Sequence, residues 1–219
     1  MDAPPAPPDA RTGLDRLARI DAGLARIEAE AGPLPWRTRE PGFAGLLNAI
    51  VGQQISNTAA AAIWQRCCAL PDSGTPEGFL ALDQDALRAA GFSRPKIGYG
   101  RAVAEAFLSG QLATETLACM SDADAIRAIS AVRGLGVWSA EIYLLFALQR
   151  HDAFPAGDLA LQAAAAQLRG LDTRPTPAAL RAIAELWQPH RALAARLLWH
   201  WWHHVTGRPS TDTPGVIAP

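Results

Sequence analysis

The sequence predicts an all-α fold, on three kinds of signal. Apolar residues recur at helical spacing in several separate stretches, cap-forming Ser and Asp residues stand just before such stretches, and Gly- or Pro-rich breaks divide them. Leu14, Leu17, Leu24 and Ile27 mark the first helix, which Gly32-Pro33-Leu34-Pro35 ends. Phe43, Leu46, Leu47, Ile50 and Val51 share one face of the next, which stops at Gly52-Gln53-Gln54. Ser56 is placed to cap an alanine-rich helix running to Leu70. After a loop from Pro71 to Pro76 come short helices, with Asp83 as an N-cap and Gly91 as a C-cap. Ser121 caps the helix carrying Ile126 and Ile129, and Val137 to Leu148 is apolar almost all round, as a buried central helix would be. The last third holds a helix from Leu159 to Leu168, a turn at Arg174-Pro175-Thr176-Pro177, a helix to Trp187 and a long helix after Pro189.

Composition bounds the class. A chain of 219 residues with 49% hydrophobic content can bury one good core and even two lobes around a cleft. No apolar run reaches the roughly 20 residues that cross a bilayer, and MDAPPAPPDA lacks the basic-then-apolar pattern of an export signal. The expectation is a cytoplasmic monomer, nucleoid-associated in a bacterium, without membrane contact. Residues 1–10 and 207–219 read as flexible tails around a helical core at 11–206. Cys67, Cys68 and Cys119 have neither a paired framework nor metal-ligand spacing, so they are expected to be core thiols. Net charge is −1 and the pI about 6.5, so any nucleic-acid binding must come from local clustering. Lys96 is the only lysine, and with Arg94 and Arg101 it forms a compact basic patch that suits either a solvated helix face or a phosphate contact.

The most informative stretch runs from Ser130 to Asp158. Gly134 and Gly136 allow a tight turn at positive φ between two helices, and the helix beginning beyond Gly136 would present free N–H groups and a positive dipole end to an anion. Such a helix–hairpin–helix, at about residues 122–149, holds DNA by its backbone and not by its bases. Asp158, between Gly157 and Leu159-Ala160-Leu161, reads as a helix N-cap, and a carboxylate there also suits a reaction that builds positive charge on a sugar.

VRGLGVWSA at Val132–Ala140, followed by FPAGD ending at Asp158, resembles the helix–hairpin–helix DNA glycosylase superfamily and most of all its 3-methyladenine DNA glycosylase II branch. The resemblance covers about Phe43 to His204. It implies the two-lobed fold of that superfamily with the active-site cleft between the lobes, in a minimal form without the N-terminal β domain some members carry. It implies removal of alkylated purines, 3-methyladenine and 7-methylguanine, from double-stranded DNA by extruding the damaged nucleotide. Asp158 becomes the catalytic residue, Trp138 and Ile142 base-pocket residues, and Arg133, Gly134, Leu135, Gly136, Val137 and Ser139 DNA contacts. VGQQIS matches the family's wedge loop, with Gln54 filling the gap in the duplex. Arg133 departs from the family's usual proline and adds a cation beside the expected phosphate. Trp138 stands where the bifunctional branch has its Schiff-base lysine, so the enzyme is expected to be monofunctional. An electron-rich indole favours a cationic alkylated base by about 1 to 2 kcal/mol.

No cofactor is expected to be required. No cysteine follows Asp158, which excludes the iron–sulfur cluster of the endonuclease III branch. His200, His203 and His204 share a helical face but have no acidic or Cys partner at ligand spacing, so zinc is not expected. By resemblance alone, main-chain carbonyls of Ser130, Val132 and Leu135 would hold K⁺ or Na⁺. Two alternatives stay open: the same fold acting on deaminated or etheno bases, and a non-catalytic DNA-binding module.

Overall fold

The structure, a computed structural model, describes residues 6–207. Of these, the residues up to Arg37 and those from Gln149 onward form one compact unit, unit 1, and Thr38–Leu148 form another, unit 2. The elements are helices, as the periodicity predicts.

Unit 1 begins with α1 (Pro8–Ile20), α2 (Ala22–Ala25) and α3 (Ile27–Ala31). The sequence reads these as one helix, but Asp21 divides them. Its extended backbone ends α1, and its Oδ1 accepts the N–H groups of Gly23 (2.9 Å) and Leu24 (3.2 Å). The expected tail at 1–10 is corrected at its end, because α1 already starts at Pro8, with proline at a first-turn position that needs no N–H. Residues 1–5 of that tail lie outside the described residues.

Unit 2 contains α4 (Phe43–Gly52), α5 (Asn57–Cys68), α6 (Pro76–Ala81), α7 (Gln84–Ala89), α8 (Arg94–Leu108), α9 (Thr114–Cys119), α10 (Asp122–Ser130) and α11 (Val137–Phe146). Ser56 and Ser121 cap α5 and α10 as read from the sequence. Asp83 stands at the N-cap position of α7, but its side chain accepts no capping bond there. α8 packs on α4 and α6, and α4 and α10 pack on α11. Phe43, Phe79, Phe92 and Phe107 build an aromatic core, with ring centroids 5.7 Å apart for Phe43–Phe79 and 5.9 Å for Phe79–Phe92. α11 is buried from Ser139 to Phe146, as its apolar sequence requires. The cysteine expectation holds only for Cys67, whose thiol burial pushes up to about 12; Cys68 and Cys119 are exposed, on helix faces turned from the core.

The chain then returns to unit 1 with α12 (Leu159–Arg169), α13 (Pro177–Ala184), a 3₁₀ turn at Glu185–Trp187 and α14 (Arg191–Thr206). Gly207, in the left-handed region, closes α14, and 208–219 lie outside the described residues. α14 packs against α12, α1 and α3. Arg191 clasps Asp152 through Nε (2.9 Å) and Nη2 (2.7 Å) at the start of α14. Arg196, only 6% exposed, donates to the carbonyl of Arg37 (2.7 Å) and stacks over Trp36.

Asp21 ties these pieces together. Besides capping α2, it accepts at Oδ2 from Arg169 of α12 (2.5 Å) and from the indole N–H of Trp187 (2.8 Å), while only 8% exposed. Asp21→Ala leaves a guanidinium and an indole N–H without their partner, and is expected to cost about 3 kcal/mol, read as a lower thermal midpoint in circular dichroism. A midpoint within a degree of wild type would refute this role.

Candidate functional site

The hairpin is set by local hydrogen bonds. At the end of α10 the N–H of Val132 donates to Ile129 O (3.1 Å), and the N–H of Leu135 to Val132 O (3.1 Å). Gly134 takes φ +91°, and a Cβ there would lie 2.2 Å from Cγ of Tyr99. Both backbone conformation and packing therefore demand glycine. Gly136 differs from expectation: its φ is −112°, extended backbone that any residue adopts, and a Cβ built on it meets nothing within 4 Å. What glycine supplies there is open space in front of the first turn of α11, which no side chain caps. An anion can approach those amides closely.

The loop that follows α4 is bound to this hairpin. Gln53, half-buried, donates from Nε2 to Gly134 O (2.9 Å) and to Ser139 Oγ (3.0 Å). Lys96 at the start of α8 donates to the carbonyls of Val51 (2.7 Å) and Gln53 (2.9 Å). The basic patch is thereby corrected: Lys96 is turned inward as a cap on the end of α4, and burial lowers its pKa. Gln54, next along, is exposed and held at φ +57°, a conformation that costs a non-glycine residue about 1 kcal/mol. The loop thus presents Gln54 outward from a base fixed by Gln53.

The other expected contacts fall into two groups. Arg133, Gly136 and Val137 are exposed, and Trp138 is half-buried in the first turn of α11. Leu135, Ser139 and Ile142 are 5%, 2% and 4% exposed. The hydroxyl of Ser139 is taken by Gln53, and the side chain of Leu135 belongs to the core with its N–H already donated. The side chains of Leu135 and Ser139 are therefore both engaged within the protein. Ile142 offers a ligand little surface for the same reason, since α11 is buried on nearly every face.

In unit 1, Asp158 caps α12. Its Oδ1 accepts from the N–H of Ala160 (2.9 Å) and Leu161 (3.0 Å), and from the indole N–H of Trp199 on α14 (3.2 Å). The carboxylate is half-exposed. Buried Gln162, one turn along, donates to Ala156 O (3.0 Å) and fixes the turn that delivers Asp158. His200, weighed in sequence as a metal ligand, has Nε2 2.9 Å from Gly32 O. Among the described residues no group of three His, Cys, Asp or Glu side chains is arranged to hold a metal ion.

Gln53, Tyr99 and Trp199 are the functional neighbours that sequence reasoning missed. Their partners stand far off in the chain, and only the doubled glutamine and the Trp-rich segment at Trp199–Trp202 hint at them.

Residues 47–189 match the family model for the HhH-GPD superfamily of base excision DNA repair proteins. The chain belongs to the HhH-GPD superfamily. Within it the chain is 34% identical over 165 residues to DNA-3-methyladenine glycosylase 1 of Schizosaccharomyces pombe, covering 74% of this chain and 72% of that one. Its fold is similar to that of a 3-methyladenine DNA glycosylase from the same yeast in complex with abasic DNA, with TM-score 0.79 and 31% identity over 94% of this chain and 99% of the other. A DNA-3-methyladenine glycosidase from Bacillus halodurans gives TM-score 0.74 and 31% identity over 92% of each chain. The HhH-GPD match takes in the hairpin, Gln53, Gln54 and Asp158.

The two hairpin glycines should separate stability from binding. Gly134→Ala is expected to destabilise unit 2 by about 1–3 kcal/mol, through strain at φ +91° and collision with Tyr99. Gly136→Ala should cost less than about 1 kcal/mol yet weaken binding to an abasic-site duplex several-fold, because its methyl group fills the approach to the helix N-terminus. Melting curves beside fluorescence anisotropy check both, and equal losses of stability would sink the distinction.

Proposed function

We propose that this protein is a monofunctional DNA glycosylase of base excision repair that hydrolyses the N-glycosidic bond of alkylated purines, 3-methyladenine and 7-methylguanine, in double-stranded DNA. The observation that carries the reading is the anchoring of Asp158: backbone N–H groups and the Trp199 indole fix one oxygen of a half-exposed carboxylate at a helix N-terminus.

The chemistry follows from those groups. A stacked base hides both its face and its C1′ bond, so the nucleotide must leave the helix. The outward-held Gln54 fills the gap, and the open N-terminus of α11 takes a backbone phosphate. The half-buried indole of Trp138 favours a planar cationic base. When the C1′–N bond breaks, its electron pair leaves with the alkylated base and neutralises it, while positive charge builds on the sugar. Asp158 stabilises that charge, water adds to C1′, and the proton goes to Asp158 or to solvent, leaving an abasic site. Since alkylation has already made the base a good leaving group, a strong general acid is not required.

Lyase chemistry would need an amine that forms a Schiff base with the sugar. The hairpin offers Trp138 at that position, and the one lysine side chain of the sequence, Lys96, is engaged with the carbonyls of Val51 and Gln53. The DNA-bearing compartment, the cytoplasm, belongs to this proposal. So does K⁺ or Na⁺ on the carbonyls of Ser130, Val132 and Leu135. In favour of the ion is the Ser130 hydroxyl, buried and unpartnered at the end of α10; against a wholly open set, Val132 O already accepts from Leu135. Bound there, the ion would add positive charge beside the hairpin phosphate.

Asp158→Asn should lower single-turnover release of free 3-methyladenine from methylated duplex DNA at least ~100-fold, as read by chromatography of the products. Trp199→Phe keeps the ring but removes the N–H, so we expect a loss of roughly 3- to 10-fold in kcat with KM little changed. An undiminished kcat in the phenylalanine variant would show that the indole does not position Asp158.

A further inference from the structure

Arg94, Arg101 and Arg133 line one open cavity of about 490 Å³ in unit 2, together with Tyr99, Gln84 and the apolar start of α8. No carboxylate lies among its walls. Several arginines elsewhere are paired with carboxylates: Arg11 with Glu28, Arg169 with Asp21, Arg191 with Asp152, and Arg127 with Asp124. Among the described residues Arg94, Arg101 and Arg133 make no ion pair. Arg101 goes further. Its Nη2 donates to Leu82 O (3.3 Å), but its Nε is buried and has no hydrogen-bond partner.

Gathering like charges costs energy unless an anion offsets them, and a buried guanidinium N–H without an acceptor costs more. The cavity also touches the hairpin. Tyr99, one of its walls, is the ring against which Gly134 packs, and Arg133 is the residue before that glycine. With a net charge of −1, the chain has no bulk attraction for DNA, so such a cluster supplies what the total lacks.

We propose that this cavity receives a DNA backbone phosphate flanking the one held at the N-terminus of α11, with the guanidinium groups of Arg94, Arg101 and Arg133 as its donors. Its size admits the attached sugar as well. The inference rests on the reading of this chain as a DNA glycosylase and extends its footprint on the duplex beyond the hairpin. It also gives the exposed Arg133, beside Gly134 of the hairpin, a role.

The test is binding of a fluorescein-labelled duplex carrying a tetrahydrofuran abasic analogue, followed by anisotropy across a range of salt. Arg94→Gln, Arg101→Gln and the double variant are compared with wild type, and melting curves verify folding. Loss of one phosphate contact should reduce the slope of log K against log salt by about 0.9 and weaken binding about tenfold, while Arg94→Lys retains most of the slope. An unchanged slope in a folded double variant, or in Arg94→Gln alone if Arg101→Gln does not fold, overturns the proposal. Calorimetric titration with inorganic phosphate and with deoxyadenosine monophosphate separates the sources of the anion. Tight binding of either, lost in the variants while the DNA slope stays put, assigns the cavity to a free ligand and also overturns it. Base release from methylated DNA is run beside these. A reduced slope with no release by wild type keeps the phosphate site and removes the glycosylase reading; release with an unmoved slope does the reverse.

Discussion

Lys96 reaches from the first turn of α8 to the carbonyls of Val51 and Gln53 at the C-terminal end of α4, where the helix dipole is negative and the last carbonyls lack intrahelical donors. Burial disfavours the ammonium, and two carbonyls offset that cost. The consequence is geometric. With the backbone of Gln53 fixed, its side chain bridges to Gly134 and Ser139, so one cation ties α4, α8 and the hairpin into a single body. Gln54 then has a rigid support for its strained, outward conformation. The proposed role of Gln54 in filling a gap in the duplex would need that rigidity, because a loop free to yield would relax when the stacked bases push back.

Unit 1 uses one device twice, with different outcomes. Asp21 and Asp158 each cap a helix through Oδ1, and each accepts an indole N–H, from Trp187 and Trp199. Asp21 is 8% exposed and paired with Arg169, so its charge is spent on holding segments together. Asp158 is half-exposed at the start of α12, where its negative charge can act on a substrate. Capping and the proposed catalytic role are compatible at Asp158 because the same bonds that finish the helix also orient the carboxylate.

Charge follows a similar division. Total charge near zero says nothing of how arginines are spent. In unit 1, Arg11, Arg169 and Arg191 are committed to carboxylates, whereas Arg94, Arg101 and Arg133 of unit 2 converge on a cavity without one. The first set stabilises the fold, and the second keeps its charge available to a polyanion.

Much of this was legible in the chain, because it depends on local chemistry. Helical spacing defined α4 and most later elements, Ser56 and Ser121 announced caps that the structure contains, and the run from Val132 to Asp158 carried the family and the carboxylate. Misreadings arose where a local signal had two outcomes. A continuous apolar period at Leu14 to Ile27 hides the break at Asp21, and the Gly-x-Gly pattern suggests conformational need at Gly136 where the glycine supplies space. Tertiary structure alone decided which side chains face inward. Lys96 and Ser139 are polar by composition and engaged by packing, and Trp199 meets Asp158 only because α14 returns to lie on α12. Sequence fixes which groups can donate or accept, but their partners are chosen by contacts between residues distant in the chain, which no local pattern encodes.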